Sequence, residues 1–312
     1  MINSLVDASA PATRLAALRI VVGVFTLGYL LGRSPVFLAL GDRPAVDFAG
    51  VGILTWLDRP IPAPLLQAIV GISIASGVAS VVGWRYRPAS IMFATGMLLL
   101  ATFRGSWGQL LHFENLMVLQ LLVLAAAPAA DAWSLDARRL ARTALQPAVT
   151  TERDCATGSV RYGWPIALLG MITIITYVIA GIAKLRYGGI DWVSGDTMRN
   201  HIAYSATRLD LIGGTPPLLA EFVVRHGWAL GVFAAGAVVI EVAAPMVLIG
   251  HRSRNAWVGA AWLMHVGILL TMSVGFPSPL FGVAFAPFFA LERVEEPLAR
   301  RWQTARRRPS PA

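Results

Sequence analysis

Polar and apolar positions along this chain do not alternate with the period of a strand or of a surface helix. Long apolar runs follow one another instead, broken by short connections marked with proline or arginine. Eight runs stand out, at residues 15–33, 62–84, 88–104, 109–127, 162–186, 227–250, 254–274 and 277–291. About 20 apolar residues in a helix cross a hydrocarbon core of roughly 30 Å. A helix also satisfies its own backbone polar groups where no water can. The pattern predicts an all-α, polytopic membrane protein with about eight transmembrane helices in one bundle. Residues 1–14 are then a short N-terminal segment, 15–291 the membrane domain and 292–312 a basic tail. Of the connections, 34–61 is stiffened by Pro60 with Pro62 and Pro64 beyond it, 128–161 is polar and arginine-rich, and 187–226 is the longest. Small residues four apart, Gly28/Gly32 and Gly227/Gly231, are expected at close helix contacts. No internal repeat is visible, which argues against an inverted-repeat transporter.

Composition agrees. Of 312 residues 56% are hydrophobic and 14% charged, where soluble chains carry about a quarter charged residues. The net charge of +9 would suit nucleic acid, but the basic residues lie at run ends and in the tail, without a recognition helix or an aromatic-studded groove. Arginines that fix topology and touch anionic lipid explain them better. With eight spans, 17 arginines fall on the side of both termini and eight on the other, placing the termini in the cytoplasm of a multi-pass cell-membrane protein. The first run lacks a small-residue cleavage site and is expected to be a retained anchor. The single cysteine, Cys155, excludes an internal disulfide and a cysteine-based metal cluster.

The basic total hides an asymmetry. Of 26 basic residues, 25 are arginine and one is lysine, Lys184. Arginine serves wherever a fixed positive charge suffices, but only an amine can shed its proton when desolvated. A buried lysine can thus act as a base or nucleophile. At about 100° per residue, Thr173, Tyr177 and Lys184 lie within about 40° of one another, with Ala180 beside the amine. A flat ligand would have room there. The plainer alternative is a lysine snorkelling from a helix end.

Other polar residues inside the runs draw attention because they are costly in lipid. Glu241 is deep in the sixth run, and His265 is mid-way along the seventh near Trp262. Structural pairing is the alternative for both. His112 shares a face with Gln109 and Gln120 within roughly 80°, whereas Glu114 points about 160° away. A zinc-deaminase reading of His-Phe-Glu fails for want of a Cys-x-x-Cys, and no metal site is expected.

Tyr177-Val-Ile-Ala-Gly-Ile-Ala-Lys-Leu185 followed by Asp191-Trp-Val-Ser-Gly-Asp-Thr-Met198 resembles the membrane domain of vitamin K-dependent γ-glutamyl carboxylase and its bacterial relatives, the HTTM family. Trp107 to Glu114, Ala132-Trp-Ser-Leu-Asp136 and Trp262-Leu-Met-His265 add to the resemblance, which covers about residues 14–291. It implies a reduced naphthoquinone or related quinol, with O2 and CO2 as co-substrates. The family's lysine base matches Lys184, although Ala183 stands where the carboxylase has a first of two lysines. His112 matches a histidine assisting oxygen chemistry, Glu241 an acidic position and His265 a further histidine. Tyr177, Glu241, His265, Trp262, Asp191 and Trp192 are then expected around the quinol. After Leu291 this sequence has 21 residues, against a large substrate-holding region in the carboxylase, and a different acceptor is expected.

Three functions compete. One is a quinol-dependent oxygenase or carboxylase with Lys184 as general base. Another is a non-catalytic membrane protein that binds or matures a peptide or protein partner, as in toxin maturation. The last is a transporter using Glu241 and His265 as a proton relay.

Overall fold

The computed structural model describes residues 9–108, 113–143 and 158–294. These residues are helical apart from connections and one isolated bridge between Ala10 and Ser159. The helices are α1 (Ala12–Ala39), α2 (Ala63–Val82), α3 (Tyr86–Gly105), α4 (Asn115–Ala126), α5 (Leu135–Thr143), α6 (Val160–Ala183), α7 (Gly189–Ser194), α8 (Asp196–Leu211), α9 (Ala220–Arg225), α10 (Gly227–Val242), α11 (His251–Met272) and α12 (Pro277–Leu280). A π-helical turn, Lys184–Gly188, joins α6 to α7, and 3₁₀ turns follow α10 and α12.

Five helical segments among the described residues are long and apolar enough to cross a membrane: Ala12–Asp42, Ala63–Val82, Tyr86–Gly105, Val160–Ser194 and His251–Met272. Two shorter apolar helices, α4 and α10, fall where the fourth and sixth runs lie. The expected eighth span is different. Residues 277–291 hold the four-residue α12, a 3₁₀ turn at Val283–Phe288 and the first residue of another, Leu291–Val294. Pro277, Pro279 and Pro287 remove the amide donors a continuous helix needs. The 187–226 connection also departs from expectation, because α7, α8 and α9 make most of it helical.

The helices fall into two compact units. The first runs to Leu169 and resumes at Phe289; the second is Gly170–Phe288. In the first, α2 packs against α1 and α3, and α4 against α3. Leu15, Leu18, Val22, Leu30, Leu66, Phe93, Met97 and Leu100 are fully buried among them. In lipid there is no water to expel between helices, so contact rests on close packing. A β-carbon on Gly96 would sit 2.0 Å from Ser73 Oγ, and one on Gly77 2.9 Å from the Phe93 ring. Gly28 and Gly32 are not such contacts, since nothing lies within 4 Å of a β-carbon at either. Pro35 leaves the Leu31 carbonyl without its helical donor, and Ser34 Oγ donates to that carbonyl at 2.8 Å, which lets α1 continue past the proline.

In the second unit, Met198, Ile202, Ala220, Val223, Leu230 and Ala234 form a core linking α8, α9 and α10, with Trp192 and Met272 against it. On both units the helices leave large apolar side chains outside: Val24, Leu31, Ile72 and Ile91 in the first, Ile179, Ile182, Val239 and Leu263 in the second. Exposed apolar surface on this scale is a liability in water and ordinary in hydrocarbon.

Candidate active site

The polar centre of the second unit is built where α6 gives up its regular geometry. Lys184 opens the π turn, a form that is rare and concentrated at functional positions. The turn ends at Gly189, φ 54° and ψ −136°, and the chain re-enters a helix that carries Trp192. Lys184 Nζ donates to both carboxylate oxygens of Glu241, at 2.6 and 2.8 Å. Glu241 is buried near the C-terminal end of α10. The approach is possible because residue 181 is glycine: a β-carbon there would lie 3.0 Å from Glu241 Cβ and 2.9 Å from Val242 Cγ2.

Trp192 lies beneath the amine, with Nζ 5.3 Å from its ring centroid. Its Nε1–H is buried and meets no acceptor among the described residues, while the ring is 5.9 Å from that of His201. Lys184 retains 22% side-chain exposure against 8% for Glu241, so the lysine is the more exposed side chain of the pair.

One and two turns back along α6 from Lys184, Tyr177 and Thr173 enter an aromatic cluster. Tyr177 stands edge-on to Trp257 at 5.0 Å and to His265 at 5.7 Å, with Phe285 at 6.2 Å. Thr173 Oγ1 donates to the Ala284 carbonyl at 3.0 Å. His265 Nδ1 is 2.8 Å from the Ala261 carbonyl. A carbonyl only accepts, so Nδ1 carries a proton, and a neutral ring has its lone pair on Nε2. The Tyr177 hydroxyl, 3.5 Å from that engaged Nδ1, is held in contact without a strong bond. Glu241 lies within electrostatic reach of the Tyr177 phenol, and Lys184 of His265.

Lys184, Glu241 and Trp192 are therefore brought into contact, with Tyr177 and His265 a contact of their own nearby. Trp262 and Asp191 are not part of that contact. Trp262 is 42% exposed and its Nε1 donates to the Leu280 carbonyl at 2.9 Å; Asp191 is exposed on α7. His112 and Gln109 lie outside the described residues. Among the described residues no three His, Cys, Asp or Glu side chains cluster as metal ligands would.

A second polar cluster, within the first unit, was not foreseen. Glu114, 1% exposed, accepts hydrogen bonds on one oxygen from the Tyr29 hydroxyl and from Arg104 Nη1, the latter at 2.8 Å. Arg104 also donates to Tyr29 at 3.0 Å and lies over Phe113. Gln120, the one described member of the His112 face, is fully buried, and neither amide atom meets a partner among the described residues. The Ala132–Asp136 motif is structural in this chain. The Asp136 carboxylate accepts from the Arg85 and Tyr86 amides at 3.0 and 2.8 Å, capping α3, and Ser134 Oγ accepts from the Ala137 amide at 2.9 Å, capping α5.

Apolar helices of spanning length and an amine–carboxylate pair set among aromatic rings define an all-helical membrane protein with a buried ionisable centre. The chain belongs to the HTTM domain family, whose family model matches residues 8–292. No curated protein and no solved structure matches it.

Proposed function

We propose that this protein is a membrane enzyme that removes a proton from a lipid-soluble quinol, with Lys184 as the base and Glu241 as the final proton acceptor. The observation that carries the reading is the bidentate contact of the chain's one lysine with Glu241. A protonated amine is no base. In surroundings of low dielectric, however, a separated charge pair is costly relative to its neutral form, and Glu241 is placed to take the proton from Nζ. The amine then accepts a proton from a hydroxyl, becomes ammonium again and faces the oxygen it has deprotonated. The net transfer is from the hydroxyl to Glu241.

The surroundings fit a flat ligand bearing oxygen. Trp192 supplies a ring face and an unmatched N–H, and Tyr177, Trp257 and Phe285 supply further aromatic surface. A bound quinol would supply the acidic hydroxyl and the electrons, O2 would be the oxidant that takes them, and the free energy of that oxidation would drive a coupled step such as proton removal from an acceptor that then adds CO2. His265 would present its Nε2 lone pair as a secondary acceptor.

The bidentate pair itself favours one competing reading, a structural lock in a non-catalytic protein that holds a peptide or protein partner. Lys184→Arg separates the two. Arginine can keep the ion pair with Glu241 and so preserve the fold, but it cannot become a neutral base. Oxygen-dependent quinol consumption in membranes is expected to fall at least 100-fold, the lower range of a general-base contribution, with the unfolding temperature little changed. Undiminished consumption would end the catalytic reading.

A further inference from the structure

Among the described residues, two N–H donors at the Lys184 centre meet no hydrogen-bond acceptor. The Trp192 Nε1–H is buried without an acceptor. An ammonium has three protons, and only the two that meet Glu241 are engaged by a hydrogen bond. A buried donor without an acceptor is costly, more so in surroundings of low dielectric. The ring that carries the first donor lies 5.3 Å, centroid to nitrogen, from the second, and both belong to a short stretch fixed by the π turn and by Gly195.

Gly195 makes that placement rigid. Its φ is 96°, and a β-carbon would lie 2.7 Å from the Leu230 carbonyl carbon, so the end of α7 is seated directly on the α10 backbone. The backbone that carries the indole is thus seated against α10, with the Trp192 ring packed beside the Met198–Ile202–Leu230 core. Glu241 is an acceptor already shared by two protons of Lys184, and His201 meets Trp192 through ring contact. What the pair of donors lacks is an oxygen with free lone pairs.

We propose that Trp192 Nε1–H and the third N–H of Lys184 form a two-donor site for one oxygen atom of an aromatic ligand, a carbonyl or phenolic oxygen. Trp192 thereby selects flat oxygen compounds over equally flat hydrocarbons. The inference rests on the Lys184 reading above but makes Trp192 a specificity residue in its own right, and it concerns binding rather than turnover.

The test uses the full chain in lipid nanodiscs with 15N-labelled indole nitrogens, titrated with 1,4-naphthoquinone and with naphthalene. Trp192→Phe keeps an aromatic face under the ammonium and removes only the donor. Its naphthoquinone affinity is expected to fall about tenfold, the range of one well-placed hydrogen bond, while naphthalene binding stays within about twofold. In the unsubstituted protein the indole N–H resonance that Trp192→Phe deletes should move downfield on saturation with naphthoquinone and stay still with naphthalene. Trp192→Tyr assigns the same resonance where Trp192→Phe folds poorly. Equal losses for both ligands, no loss for either, or an indole signal unmoved at saturating quinone would each overturn the proposal, the last meaning that water fills the site. Any of these outcomes combined with a turnover-dead Lys184→Arg would remove Trp192 and leave the base in place.

Discussion

Arg19 is 1% exposed in the middle of a hydrophobic unit. Its guanidinium donates to the Ala129 and Trp133 carbonyls at 2.9 and 2.6 Å and lies over the Tyr86 ring at 5.8 Å. It therefore ties α1 to the segment after α4. Arg19→Met should cost about 1–3 kcal/mol for each carbonyl left unmet, read as a lowered unfolding temperature in detergent. Arg104 is tied more strongly, because removing it strands Glu114. Arg104→Leu is expected to cost about 3–5 kcal/mol, and adding Glu114→Leu to it should restore a large part of the loss. A double variant no better than the single one would show that Glu114 is not the stranded charge. Neither arginine was legible in advance, since an arginine near the end of an apolar run reads as an interfacial anchor. Lys184 stood out through its solitude and Glu241 through its depth. Their contact did not, because 57 residues separate them and no local spacing encodes it.

At the scale of elements, length and apolarity were enough for α1, α2, α3, α6 and α11. They were not enough for α7, α8 and α9, whose low hydropathy and flanking glycines and prolines resemble a loop. Those helices exist because Met198, Ile202 and Val223 find a shared core with Leu230 of α10, a tertiary effect that propensity does not contain. The seam between that core and the candidate site is Gly195. Gly195→Ala must adopt a left-handed backbone and also meet the α10 backbone, whereas Gly189→Ala, with φ 54° and nothing within 4 Å of its β-carbon, carries the conformational cost alone. The first should therefore destabilise by more than the about 1–3 kcal/mol expected of backbone strain and the second by no more than that. Protease sensitivity of the 187–226 segment would register the difference, and equal effects would refute the close seating of α7 on α10.

Across the whole chain, the longest-range polar contact described joins its two ends within the first unit. Arg14, in the first turn of α1, donates to Glu292 through Nε at 3.0 Å and Nη2 at 2.6 Å across 278 residues. Glu292 lies beyond the last apolar run, where water and protons can reach it. Partial burial would push its carboxyl up, but the Arg14 hydrogen bonds and charge, with Arg293 nearby, more than offset this and hold it below its ordinary value of 4.5. A carboxyl depressed in the folded state binds fewer protons than in the unfolded chain, so its stabilisation is fully present above that ordinary value and is lost as pH falls through the folded one. The native protein should accordingly unfold at a higher temperature than Glu292→Gln at pH 7, and the gap should close as pH drops below 4.5. Arg14→Gln should remove most of the gap at every pH. Because the pair is partly exposed, added salt should narrow the gap as well. A gap that persists unchanged at pH 3 would mean that the contact between the two ends is held by packing around Leu291 rather than by charge.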